Sequence, residues 1–431
     1  MKKLLISLAA LLLMCGCAED RSTVLKVYNW SDYIDETAIE EFEQWYEAQT
    51  GEKVKVIYQT FDINETMLSK IEKGHEDYDV VCPSDYIIER MIQSDLLLPI
   101  DRDFGSTPNY IDGNLSPYIR SCFDKMEGNG KNANDYSVGY MWGTTGILYN
   151  AKHVTDEEAS TWDVIRDRRF ADRIFIKDSA RDVYSQIILK IKEDEIADGS
   201  VSMDELMNYT SDADIAAVEA YMKDVKPLVA GWEADFGKDQ MVQETGWVNL
   251  TWSGDAVWGI DEAAALGVDL RYALPKEGFT VWFDGWVIPK YAQNVKAAKY
   301  WINFMSRPDI VIRNVEVTGY VSVSGAPEVR DAFTDENYDP IDLSYFFTPA
   351  DTAVCANPVL YPAREDIERS TQEHDWGEHT ADLIEMWSRV KGDNANAFTY
   401  IIIAVAAIAI AGAAFIMSQS KKNRRRNRKR R

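Results

Sequence analysis

The chain has 431 residues, with 71 Asp and Glu against 46 Lys and Arg, and aromatic side chains make up 12% of it. That length exceeds one ordinary domain and accommodates two, each with its own core. The acid excess excludes a body that binds nucleic acid, which would need a basic surface, and it favours cationic partners.

Residues 1–17 open with Lys2 and Lys3, continue as a leucine-rich run and end in small residues around Cys15 and Cys17. This pattern predicts a secretory signal of the lipoprotein type, with Cys17, behind Gly16, as the lipidated residue. Residues 26–28 read as a short strand. Asp35 can cap a helix that carries Ile39, Phe42 and Trp45 or Tyr46 on one face and stops before Gly51. A strand at 53–59, a helix at 64–73 and a short apolar strand at 79–82 follow. Pro83-Ser84-Asp85 then opens a helix that runs to about Gln93. The rhythm returns after Tyr136, with strands at 137–140, 146–150 and 173–177 and a helix from Arg181. Strands at 248–252, 270–274 and 286–289 lead into an amphipathic helix at 292–305. Strands alternating with helices predict an α/β fold built of βαβ units on a mainly parallel sheet.

Residues 397–417 are 21 positions without a charge, followed by nine Lys and Arg between Lys421 and Arg431. The length spans a bilayer, and the basic residues 418–431 belong on its cytoplasmic side. A removable cell-surface sorting tail has the same appearance. Of the 46 basic residues, 2 lie in the signal and 9 in the tail, so 35 remain against all 71 acids in the body. The body retains Cys82, Cys122 and Cys355, which permit at most one internal disulfide. The four histidines form no pair at zinc-site spacing, and neither a metal nor a cofactor is expected.

Three distant segments set tryptophan beside a carboxylate: Tyr28-Asn29-Trp30-Ser31-Asp32-Tyr33, Thr251-Trp252-Ser253-Gly254-Asp255 and Val281-Trp282-Phe283-Asp284-Gly285-Trp286. An indole face packs on methylenes and attracts a cation, while a carboxylate pairs with an ammonium. Brought together, the three segments would box an organic cation; taken singly, each is also compatible with a core ring beside a solvated acid. Ligands of open α/β sheets bind at the C-terminal ends of strands. Trp30 and Asp32, Ser84 and Asp85, residues 178–182 and Asp255 all fall at such ends, whereas Trp282 and Asp284 fall before a strand.

The first of these segments, with Asn64-Glu65-Thr66-Met67, Tyr78-Asp79-Val80-Val81-Cys82-Pro83-Ser84 and Thr318-Gly319-Tyr320, resembles the periplasmic spermidine/putrescine-binding proteins of polyamine ABC importers. The resemblance runs in order from about Val24 to Lys391. It implies a two-lobed, type II periplasmic-binding-protein-like fold with a mixed sheet in each lobe. The implied lobes are 24–142 with 283–328, and 143–282 with 329–392. It also implies a polyamine in the cleft between them, ABC transporter permease subunits as partners, and a periplasmic location at the cytoplasmic membrane. The family pattern puts Trp30, Tyr33, Ser84, Tyr86, Asp182, Trp252, Asp255, Trp282, Asp284 and Tyr320 around the ligand; members that prefer putrescine resemble this chain at Ser31-Asp32 and at Asp255, whereas Trp282 looks more like the spermidine type. The chain departs from spermidine binders at Ser179, where they carry a second acid, and at Asp182, where they carry Glu. Neither Gln372 nor Glu373 cleanly matches the family's late glutamine contact.

The body contains no Gly-x-Ser-x-Gly, His-Glu-x-x-His, phosphate-binding loop or dinucleotide glycine fingerprint, so no enzyme is expected. A carboxylate-based hydrolase remains a formal alternative, since glycosidases also set two acids among tryptophans. A binder of sugars or another organic cation on the same fold is the other alternative.

Overall fold

The computed structural model describes residues 20–347, 353–377 and 379–392. The expected signal with Cys17, the 397–417 span and the basic tail lie outside these residues. Among the described residues no helix is long and apolar enough to cross a membrane.

The chain begins with strand β1 (Val24–Trp30) and helix α1 (Thr37–Thr50). Ala38, Phe42 and Tyr46 of α1 are buried at four-residue spacing, one face of an α-helix. Asp35 accepts from the Thr37 backbone N–H at 3.0 Å and so closes the helix start. Gly51, at φ 73°, ends it. Strand β2 (Lys55–Phe61), helix α2 (Asn64–Glu72), strand β3 (Val80–Val81) and helix α3 (Asp85–Gln93) follow. β1 pairs in parallel with both β2 and β3.

Strand β4 (Ser137–Asn150) runs unbroken over 14 residues, where separate strands at 137–140 and 146–150 were expected. Its interior glycines answer close neighbours, not turns. A Cβ at Gly143 would lie 2.5 Å from the Trp282 ring, and one at Gly146 would lie 2.6 Å from the Ala273 carbonyl oxygen. Strand β5 (Ile174–Lys177), helix α4 (Ala180–Ile191), strand β6 (Val229–Glu233), strand β7 (Val248–Trp252) and helix α5 (Ser253–Ala265) build the other side of the molecule. Strand β8 (Phe279–Pro289) then returns over 11 residues, seven more N-terminal than the expected 286–289. Helices α6 (Val295–Met305) and α7 (Pro308–Thr318) pack back toward α1, where Trp301 meets Phe42 edge-on at 5.0 Å.

Among the described residues, eight strands follow one another in the order β2-β1-β3-β8-β4-β7-β5-β6. β7, β5 and β6 are mutually parallel, as β1, β2 and β3 are, but β4 is antiparallel to both β8 and β7. The sheet is therefore mixed, with parallel ends and an antiparallel centre. Every residue of β4 and β8 is buried, as in strands covered on both faces. These two strands connect a lobe around β1–β3 with a lobe around β5–β7. Cys82, Cys122 and Cys355 are all free thiols.

Candidate functional site

A cavity of about 390 Å³ opens where the two lobes face each other. All eleven expected residues line it: Trp30, Asp32, Tyr33, Ser84, Tyr86, Asp182, Trp252, Asp255, Trp282, Asp284 and Tyr320. Most arrive from strand ends. Trp30 closes β1, and Asp32 turns the chain at φ 51°, a left-handed conformation that Asp tolerates, so that Tyr33 enters the cavity. Ser84 precedes α3. Asp182 lies in the first turn of α4, where its backbone N–H donates to the N-cap Ser179 hydroxyl. Trp252 ends β7, and Asp255 stands in the first turn of α5. Tyr320 follows Gly319, whose φ of 75° ends α7. Its ring rests on Gly254, where a Cβ would come within 2.3 Å of it.

Trp282 and Asp284 do not precede a strand; they stand in the middle of β8. Alternation puts both on one face, and Phe283 between them turns to the core, 6.2 Å from Trp142. The pairing of β8 with β4 shifts register between Asp284 and Gly285, a bulge of the kind that re-aims side chains. Trp286, from the same indole–acid segment, is a core ring packed on Tyr140 and Trp301 at 4.7 and 6.0 Å.

Trp252, Trp282, Tyr320 and Tyr33 form a run of edge-to-face contacts along the wall, with centroids 6.5, 5.7 and 5.1 Å apart. At its end lies Asp284, 5% exposed, which accepts hydrogen bonds from the Tyr33 hydroxyl and the Ser84 hydroxyl, each at 2.7 Å. Asn64 donates in turn to Ser84 at 3.0 Å. Among the described residues no basic side chain forms an ion pair with Asp284. Burial pushes its carboxyl up to about 7, against the two hydroxyl donors that favour the charged form.

Two consequences follow from this shift. The folded-state value lies above the ordinary 3.8, so the folded protein holds a proton that the unfolded chain releases. The stability this contributes is present below the ordinary value and is lost as pH rises toward 7. A ligand ammonium needs the ionised form and expels the proton. Affinity for an alkylammonium ligand should therefore fall by up to about tenfold for each pH unit below 7, with Asp284 as the titrating group. Calorimetry across pH 5–8 in buffers of different ionisation heat checks this, since about one proton should be released per ligand at the acid end.

Asp255 has a different environment. Its Oδ2 accepts from Lys177 Nζ at 2.5 Å, and its Oδ1 accepts from Lys238 Nζ and the Tyr320 hydroxyl, each at 3.1 Å. Burial opposes its ionisation, but Lys177 and Lys238 hold the carboxyl below the usual range. Asp182 accepts from the Trp252 indole N–H at 3.1 Å and from the Ser179 hydroxyl.

Several lining residues stand outside the expected ligand set: Glu65, Asp85, Arg181, Lys238 and Glu373. Glu65 accepts from the Tyr86 hydroxyl at 3.1 Å. Asp85 is fully buried and accepts from Gln372 at 3.3 Å, which turns that glutamine onto a protein partner. Glu373 is pushed up to about 8 by burial and by the nearby charge of Asp182, with Arg181 opposing. Asn64-Glu65 was visible as a motif and Asp85 and Arg181 fell at strand ends already singled out, whereas Lys238 carried no signal. Among the described residues neither histidine nor cysteine lines the cavity. Aromatic walls ending at a buried, unpaired carboxylate can hold an apolar stem that carries an ammonium group.

A family profile described as bacterial extracellular solute-binding protein matches residues 37–337. The spermidine/putrescine-binding periplasmic protein of Salmonella typhimurium is 28% identical over 377 residues, covering 87% of this chain and 93% of its own. The putrescine-binding periplasmic protein PotF of Escherichia coli is 28% identical over 362 residues, covering 79% and 91%. Among solved structures, a chain from Listeria monocytogenes assigned to a spermidine/putrescine ABC transporter aligns with a TM-score of 0.69 at 30% identity. That alignment covers 86% of this chain and 99% of the other.

Proposed function

We propose, since this chain belongs to the bacterial extracellular solute-binding protein family, that it captures a polyamine, putrescine or spermidine, outside the cytoplasm and delivers it to the permease subunits of an ABC importer. The observation that carries this reading is Asp284: a buried carboxylate with hydroxyl donors, no ion pair among the described residues, and aromatic rings leading to it. The names of the relatives supply the ligand class and the transporter. In this reading Trp30, Tyr33, Trp282 and Tyr320 flank the methylenes, Asp284 and Asp182 take ammonium groups, and Ser84 and Tyr86 orient the polar contacts around them. Residues 24–142 with 283–328, and 143–282 with 329–392, form the two lobes, so the breaks fall inside β4 and β8. The protein binds and releases its ligand without turning it over. A sugar would gain from the indole faces but would leave the Asp284 carboxylate without a counter-charge. Calorimetry with putrescine, spermidine, cadaverine and monosaccharides tests the reading. Micromolar or tighter polyamine binding with unchanged ligand recovered is expected, and saccharide binding without polyamine binding would reject it.

We further propose attachment to the cytoplasmic membrane through lipid on Cys17, the 397–417 span, or both, with the basic tail inside. The uncharged run of 21 residues and the nine cations after it support this orientation, because moving those cations outward is costly. Tethering would raise the effective concentration of the body beside its permease. Membrane-fraction protein should retain the tail by intact mass and protect it from protease added outside; a tail digested from outside would contradict this topology.

A further inference from the structure

Lys177, the last residue of β5, carries its ammonium behind the Asp255 end of the cavity, against the lining residues Glu233, Ala234, Trp252 and Asp255. Its side chain is 1% exposed. Nζ donates to Asp255 Oδ2 at 2.5 Å, to the Ala234 carbonyl at 2.6 Å and to Glu233 Oε2 at 3.3 Å. These acceptors use all three N–H groups of a lysine. The same ammonium stands 4.2 Å from the centre of the Trp252 ring. A carboxylate on one side and an indole face on the other are the surroundings that suit an organic ammonium ion. Lys238 and Tyr320 occupy the remaining oxygen of Asp255. Two other acids differ among the described residues: Asp284, at the far end of the ring run, accepts from hydroxyls, and Asp182, beside the Trp252 indole, accepts from a hydroxyl, the indole N–H and a distant Thr145.

We propose that Lys177 is a built-in ammonium that fills one cation subsite of the cavity and restricts the ligand to a short diamine, with putrescine favoured over spermidine. The inference rests on the polyamine reading given above and names its preferred substrate. A third ligand ammonium directed toward Asp255 meets a carboxylate whose oxygens are already engaged, together with two like charges. It would lose water while facing those like charges, with Asp235, itself near Lys177 and Lys238, as the neighbouring acid of that end. Asp284 and Asp182, which form no ion pair among the described residues, remain as partners for the two ammonium groups of a diamine. The sequence hid this arrangement, since a lysine closing an apolar strand reads as a solvent-facing strand end.

The test is calorimetry on the full chain in detergent with putrescine and spermidine, for the parent protein and for Lys177→Ala, which removes the ammonium and opens the space its side chain fills. The parent should bind putrescine at least tenfold tighter than spermidine, and in Lys177→Ala that ratio should fall at least tenfold. A parent that binds spermidine as tightly as putrescine overturns the proposal, whether or not the variant folds. So does a folded variant, verified by circular dichroism, whose ratio is unchanged. A parent that binds neither amine overturns the polyamine reading itself and this inference with it.

Discussion

Asp284→Asn is expected to lower putrescine affinity by about a hundredfold or more while leaving the folded protein at least as stable as the parent at pH 8. The two effects separate because no cationic side chain among the described residues pairs with the carboxylate. Stripping one member of a buried ion pair costs roughly 3–5 kcal/mol, and in the bound state the ligand is the other member. In the free state the ionised carboxylate is a burden, as its upward shift to about 7 records. The amide carries no charge and can still accept from Tyr33 or Ser84, so the unliganded protein gains or holds stability. Titration calorimetry and thermal unfolding at pH 8 measure the two quantities. Parent-like affinity would remove Asp284 from the ligand contacts, and a large drop in melting temperature would make it a structural residue.

Trp282→Ala is expected to lower affinity by a similar factor but to destabilise the protein as well. The ring is only 7% exposed and abuts Gly143, Trp252 and Tyr320. Emptying a site of this kind costs roughly 3–5 kcal/mol through lost contacts and the cavity left behind. The ligand loses an apolar wall and an aromatic face at once. Trp252→Ala should resemble it in binding with a smaller stability loss, because that ring is only half-buried. Melting temperature and affinity measured on the same samples resolve the pattern. A Trp282→Ala protein that is folded, fully stable and still binds would place the ring outside both core and site.

Much of the site was legible because strand ends deliver it. β7 was expected at its observed bounds, α3 was placed at Asp85–Gln93, and the motifs after β1, β3, β5 and β7 all reached one cavity. The two central strands were shortened by the same physics that makes them central. A strand buried on both faces loses the alternation that marks a half-buried one, and β8 also carries Asp284 and Gly285 in its interior. The expected gap at 141–145 contains Gly143, which is fixed by the distant Trp282 ring that no local pattern reveals. Lys177, Lys238 and Glu373 gain their meaning only from partners brought in by folding, and their own sequence surroundings are those of ordinary surface charge.

The shared strands β4 and β8 also govern the order in which the chain can fold. The strands β1–β3 begin at Val24, yet their sheet is completed by β8 and covered by α6 and α7, so they wait for a strand that starts at Phe279. A nascent chain that ends before Phe279 exposes the edge of β3 and the open faces of β4, surfaces that invite mispairing. Contacts of such sequence separation slow folding, since loop closure must precede their reward. In the proposed location outside the cytoplasm slow folding is an advantage, because a chain whose central strands have not yet paired is still extended enough to be exported.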